Sequence, residues 1–166
     1  SIHSLGMTKV YFIVSPSTAS ASELVINSLS AYIDVFLIGK KTVGKQVGSI
    51  TLYDSENLLR NGSNLNQNHT YAIQPIVLEI SNKNNSNQPN GFTPGTSLQG
   101  IELAENFGNL GVLGERSDPL LDRTITYILT GAKSTIDIKI QPFQEEIFNS
   151  KLATPTRNNM YVDLKE

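Results

Sequence analysis

Two short segments of this chain hold residue types that could do chemistry. The first is Thr18-Ala-Ser-Ala-Ser-Glu23, a run of small residues ahead of an apolar, periodic stretch. Small side chains let a substrate backbone come close, and the amides at a helix start stabilise developing negative charge. A serine hydroxyl placed there is a poor nucleophile until a neighbouring base takes its proton. Of the two histidines, His3 lies beside the first residue and His69 in a polar stretch, so neither builds a Ser-His-Asp arrangement. Lysine is the alternative base, because serine–lysine pairs follow the same logic. It must be neutral to act, which takes burial strong enough to bring a lysine from about 10.4 toward roughly 7–8. Lys45 is the candidate: it lies between Val43-Gly44 and Val47-Gly48, where backbone packs closely and apolar neighbours exclude water. Lys40 and Lys41 are adjacent to each other and read as solvated.

The second segment is Gly39-Lys-Lys-Thr-Val-Gly44-Lys45, which follows a candidate strand and matches the G-x-x-x-x-G-K of a phosphate loop. Position 46 is Gln, however, where magnesium ligation needs Ser or Thr. Val47-Gly-Ser-Ile-Thr-Leu52 then alternates like a strand, whereas a phosphate loop needs a helix N-terminus there. Nucleotide binding is disfavoured on both counts. A plain reading stays open beside the serine–lysine one, since Ser/Ala runs are ordinarily helix caps and Gly-Lys loops ordinarily surface turns.

The elements that would position these residues follow from periodicity. Lys9-Val-Tyr-Phe-Ile-Val14 reads as a buried strand closed by Ser15-Pro-Ser17. Ser20 to Ile33 carries Leu24, Val25, Leu29, Tyr32 and Ile33 at helical spacing, and Ser20 with Glu23 fits a capping box. Tyr32 is expected in the core. Val35 to Ile38 reads as a strand parallel to the first, which makes residues 9–38 one βαβ unit. Ser49 to Tyr53 and Tyr71 to Ile80 are further strands, the latter with Pro75 demanding an edge or a bulge. Asp54 to Thr70 and Ser81 to Gly100 read as irregular. Asp118 caps a helix that has Pro119 at its first position and Gly131 past its end. Ile136 to Ile140 alternates as a late strand.

Composition narrows the function classes. The 166 residues carry 13 basic and 15 acidic side chains, a net charge of −2, with no basic excess to neutralise phosphates, so nucleic acid is not an expected partner. Cysteine is absent, which removes disulfides, thiolate metal sites and a cysteine nucleophile. Glu102, Glu105, Glu115, Asp118 and Asp122 lack metal-ligand spacing, and neither a metal nor another cofactor is expected. No apolar run approaches the roughly 18 residues of a membrane span, so no integral membrane segment is expected in this chain. The chain opens at Ser1 rather than Met and is read as a processed or cut-down product.

Taken together, Thr18-Ala-Ser-Ala-Ser-Glu23, a helix, a strand ending Ile38-Gly39, and Thr42-Val-Gly-Lys45 resemble the C-terminal processing (tail-specific) serine proteases. The resemblance runs over Lys9 to Ser49. It continues more weakly through Tyr71 to Leu78, Asn90-Gly-Phe-Thr-Pro94 and the stretch from Asp118 to Asp163, where it is similar to envelope members from Bacteroidetes-like bacteria. It implies an α/β fold, the ClpP/crotonase-like ββα superhelix. Residues 1–166 would be the C-terminal portion of the catalytic domain, with a core of about 9–140 and a tail of 141–166. It implies Ser20 as nucleophile, Lys45, 25 residues on, as general base, the Ala21 amide as an oxyanion donor and Glu23 as a third residue assisting the dyad.

Departures from the family pattern bear on those roles. The supporting Gln four residues after the lysine is Ser49 here, while Gln46 lies nearer, so the third residue stays open among Glu23, Gln46 and Ser49. The aspartate late in the helix falls at Ala31, and G-x-x-P-D has become Gly91-Phe-Thr-Pro94-Gly95. The D-L-R-x-N-x-G-G segment, whose glycine amide completes the oxyanion hole, and the PDZ segment are not in this chain. Arg60-Asn61-Gly62 echoes the former but lies downstream and is not equated with it. Loss of one oxyanion donor costs on the order of 10² to 10³ in rate, so the chain alone is expected to be impaired or inactive. Surface left bare by the absent segment would favour self-association. The implied activity is serine endopeptidase, acting on protein or peptide substrates in the periplasm or cell envelope of a bacterium. A reading from a different class stands beside it: a non-catalytic envelope module on the same fold that binds peptides or glycans, suggested by the incomplete oxyanion machinery and the Asn-rich loops.

Overall fold

The structure is a computed structural model that describes residues 5–132. The described residues form two compact units, one of residues 5–46 and 80–132 and the other of Val47–Glu79. His3, the expected strand at Ile136–Ile140 and the 141–166 tail lie outside the described residues.

The larger unit is mixed α/β. It contains β1 (Lys9–Val14), α1 (Ala21–Ser30), β2 (Asp34–Gly39), and later β7 (Gln99–Glu102) and α2 (Pro119–Thr130). β1 pairs with β2 in parallel from Lys9↔Asp34 to Val14↔Gly39, with α1 as the crossover, as the apolar runs predict. β7 adds in parallel on the far side of β2, Phe36↔Gln99 to Gly39↔Glu102. Its short Gln-Gly-Ile-Glu sequence hides it within a stretch that reads as loop, because pairing rather than local propensity makes it a strand.

Alternation along the strands divides the core between two faces. Val14, Val35 and Leu37 pack with Ile26 of α1 and with Phe92, flanked by Val10, Phe12 and Leu29. Ile38 and Ile101 pack with Tyr127 of α2, flanked by Tyr11 and Phe36. Tyr11 stacks on Phe36 at 4.7 Å, and Tyr127 meets both rings edge-on at 6.2 and 6.1 Å. α2 starts as its sequence requires: the Asp118 carboxylate accepts from the Leu120 and Leu121 amides, and Gly131 closes the helix at φ 67°.

Helix α1 departs from its expected face. The apolar positions Leu24 and Val25 are 38% and 47% exposed, while Glu23, Ile26 and Asn27 are buried. Polar partners for Glu23 and Asn27, described below, rotate the helix away from its purely apolar stripe. The helix also stops at Ser30, not Ile33, so Tyr32 lies beyond its last turn and is 68% exposed rather than in the core, with Lys83 Nζ 5.0 Å above its ring.

In the smaller unit the two expected strands are each split. β3 (Val47–Ser49) pairs antiparallel with β6 (Ile76–Glu79), and β4 (Leu52–Tyr53) with β5 (Ala72–Ile73). The break falls at Pro75, which has no amide to donate, and the β3–β6 register shifts between Gly48 and Ser49. Residues 54–71 form turns without helix or strand, as their composition predicts.

Gly39 ends β2 at φ 133°, and a Cβ built there would overlap the Val14 carbonyl oxygen of β1. Gly39→Ala is therefore expected to lower stability by at least about 1 kcal/mol, since both conformation and space are incompatible. Urea denaturation measures it; an unchanged midpoint would show that the strands part at no cost.

Candidate active site

The sequence Ser15-Pro-Ser-Thr-Ala-Ser20 carries the chain from the end of β1 to the start of α1. Thr18 closes this turn, with its amide donating to Ser15 O (2.9 Å) and its hydroxyl oxygen accepting from Ser15 N (3.0 Å). Ser20 then enters the helix at φ 53°, ψ −112°, a conformation that residues other than glycine rarely adopt. Such strain, on the order of 1–3 kcal/mol, persists only where surrounding contacts over-determine it, and a strained strand-to-helix turn is the setting in which α/β hydrolases hold a nucleophilic serine.

The contacts that over-determine it converge on Glu23, whose side chain is buried completely. Its Oε2 accepts from the Ser20 amide (3.0 Å) and the Lys45 amide (2.9 Å). Its Oε1 accepts from the Thr42 hydroxyl (2.5 Å) and the Gly44 amide (2.6 Å). Four donors fill the roughly four lone-pair positions of one carboxylate. The Val43 amide adds a further link by donating to Thr18 O at 3.0 Å. The Ser20 turn and the Lys45 loop, distant in sequence, are thus joined as one piece.

Thr42 extends the network, because its Oγ1 also accepts from the Phe92 amide at 2.8 Å while its own amide donates to Phe92 O at 3.0 Å. One helical turn beyond Glu23, Asn27 Nδ2 donates to Gln46 Oε1 (2.9 Å) and Ser86 O (2.8 Å), and Asn82 donates to Asn27 Oδ1 (3.1 Å). Gln46 O accepts from the Ile80 amide at 3.0 Å, and Gln46 Nε2 is buried with no partner among the described residues.

Of the residues singled out in the sequence, Ser20, Ala21, Glu23, Lys45 and Gln46 fall in the larger unit, and Ser49 falls in the smaller one. Ser20 is half-buried and Ala21 exposed at the first position of α1, where its amide has no acceptor among the described residues. Lys45 is exposed, which corrects the expected burial: Gly44 at φ 90° packs against Pro89, and the Lys45 amide, not its side chain, turns to Glu23. No hydrogen bond joins Ser20 Oγ to Lys45 Nζ. The strand β3 that follows Gln46 supplies no helix N-terminus, in keeping with the argument against a phosphate loop. Thr42 enters the sequence reading only as the first residue of the Thr42-Val-Gly-Lys45 motif, and Asn27 and Asn82 carry no role in it. Asn27 was open to discovery, since it lies four residues after Glu23 on one helix face. No group of acidic or histidine side chains among the described residues is arranged to hold a metal ion.

No family model and no curated protein matches this chain. Among solved structures it matches the crystal structure of a candidate S41 protease from Bacteroides fragilis, with a TM-score of 0.58 and 24% sequence identity over 76% of this chain. The chain spans 29% of the length of that protein. S41 is the C-terminal processing family. At this identity the likeness is one of fold: a mixed α/β arrangement shared with that protein.

Two variants test the strain and its support. Ser20→Gly should raise stability by about 1 kcal/mol, because glycine removes most of the strain and costs a cap only a few tenths, whereas Ser20→Ala should not stabilise. Glu23→Gln places an amide donor against backbone donors and should destabilise by at least about 2 kcal/mol. Chemical denaturation separates them; a neutral Ser20→Gly would mean that the turn is unstrained.

Proposed function

We propose that this chain carries the nucleophile and base of a serine endopeptidase of the C-terminal processing type, as the C-terminal part of a catalytic domain with the ClpP/crotonase-like superhelical fold. The observation that carries the reading is the strained backbone of Ser20 at the start of α1, bonded through Glu23 to the backbone of the Lys45 loop. The mixed α/β likeness to the Bacteroides fragilis protein supports the fold on which it rests.

In this reading neutral Lys45 takes the proton of the Ser20 hydroxyl as its oxygen attacks a peptide carbonyl. The new C–O bond gives a tetrahedral oxyanion, which the free Ala21 amide stabilises at the positive end of α1. Collapse breaks the C–N bond, and the amine leaves with the proton carried by Lys45. Water, deprotonated by the same lysine, then hydrolyses the acyl-enzyme and restores Ser20. A peptide covering the site would exclude water from around exposed Lys45. Leu24, Val25 and Val43 present apolar side chains on the elements that carry Ser20 and Lys45, a surface suited to an unfolded peptide or to self-association. Glu23, its acceptor positions filled, positions the two backbones and exchanges no proton. Periplasm or cell envelope is the compartment that goes with this reading. The exposure of Lys45 also favours a second one, a non-catalytic peptide- or glycan-binding module.

Cleavage of an unstructured protein by the intact polypeptide decides between them. Ser20→Ala and Lys45→Ala are each expected to lower the rate by on the order of 10³ or more. A Ser20→Ala protein that cleaves as fast as its parent would refute the serine mechanism, and a folded but inactive parent would favour the binding module.

A further inference from the structure

The Val47–Glu79 unit contains a cavity of about 380 Å³ whose lining includes Tyr53, Asp54, Arg60, Asn66, His69 and Tyr71. That volume falls within the range of small-molecule pockets, about 300–1,000 Å³. Its polar wall is a connected network. Asp54 Oδ2 accepts from Asn66 Nδ2 at 2.8 Å and contacts His69 Nε2 at 3.2 Å. The Tyr71 amide donates to His69 Nδ1 at 3.1 Å, which leaves the ring hydrogen on Nε2, directed at Asp54. The His69 and Tyr71 rings lie side by side, centroids 5.7 Å apart. Bonds first from Asn66 and then from His69 hold the Asp54 carboxyl below the usual carboxylate range. His69 is therefore part of a built wall and not an isolated surface histidine.

Two charged groups of the lining, both solvent-exposed, remain available to a ligand. Asp54 Oδ1 accepts no hydrogen bond, and the Arg60 guanidinium has no partner, among the described residues. A simple carboxylate would satisfy Arg60 but be repelled by Asp54, and a simple ammonium would meet the reverse conflict, whereas a zwitterion would satisfy both charges but leave the aromatic lining without a partner. Hydroxyls both donate and accept, so a polyhydroxylated ligand can donate to Asp54 and accept from Arg60. The tyrosines add aromatic surface with a polar tip, suited to the apolar C–H face of a sugar ring.

We propose that this cavity is a binding site for a neutral carbohydrate, with Asp54 and Arg60 bonding its hydroxyls and Tyr53 and Tyr71 lining its ring face. The site lies within the Val47–Glu79 unit, shares no residue with the Ser20–Glu23–Lys45 network, and its proposal does not rest on proteolysis.

Titration of the intact chain with maltotriose, cellotriose and triacetylchitotriose, followed by amide chemical shifts, tests it, with sodium acetate and glycine as the anionic and zwitterionic controls. At least one trisaccharide should saturate in the millimolar range or tighter, with shifts centred on residues 53–71, and should bind Ser20→Ala equally well. Arg60→Gln, which removes no hydrogen bond or ion pair among the described residues, should weaken it by about tenfold or more, the loss of a charge-assisted hydrogen bond. Asp54→Asn should do the same. Saturation by none of the three sugars, binding unaffected by Arg60→Gln, or acetate or glycine binding tighter than the sugars would each overturn the proposal.

Discussion

One buried carboxylate holds the candidate active site together. Glu23 gathers the Ser20, Gly44 and Lys45 amides and the Thr42 hydroxyl, which come from two segments with all of α1 and β2 between them. Hydrogen bonds to a charged acceptor contribute about 1.5–3 kcal/mol each, the same size as the strain in a residue such as Ser20. The bond from the Ser20 amide to Glu23 Oε2 can therefore offset the cost of that backbone conformation by itself. The other three donors then transmit the position of the turn to the loop that bears Lys45.

The parallel sheet supplies the rigidity behind this arrangement. β1 ends just before the Ser20 turn, and its neighbour β2 ends just before the Lys45 loop, so their in-register pairing from Lys9↔Asp34 to Val14↔Gly39 brings the two loops to the same edge. This is the C-terminal end of parallel strands, where open α/β sheets present their functional loops. Packing on both faces keeps the strands from sliding, since a one-residue slip would send Phe12, Val14, Val35 and Leu37 to the wrong face. Gly39 permits the tight approach at the strand ends.

Sequence reading succeeded where a local rule was enough. β1, β2 and their crossover are legible because apolar runs of strand length flank a capped helix. Asp118, Pro119 and Gly131 bound α2 because a cap, a first-turn proline and a left-handed closing residue are local requirements. It failed where partners far along the chain decide. β7 exists because β2 offers it an edge, not because Gln-Gly-Ile-Glu favours a strand. The face of α1 is set by Thr42, Gly44 and Gln46 seeking Glu23 and Asn27, which outweighs burial of Leu24 and Val25.

The candidate site divides along the same line. Residue types and spacing alone determined that Ser20 caps a helix after a strand, that Glu23 is its capping partner, and that a Gly-Lys loop follows the next strand, because each needs only a few neighbouring residues. Tertiary structure decided that Glu23 serves two segments at once, that the Lys45 amide and not its side chain turns inward, and that Asp54 and His69 share a cavity with Arg60. Those outcomes depend on which distant donors meet one acceptor, and that is a property of packing in space which no local pattern encodes.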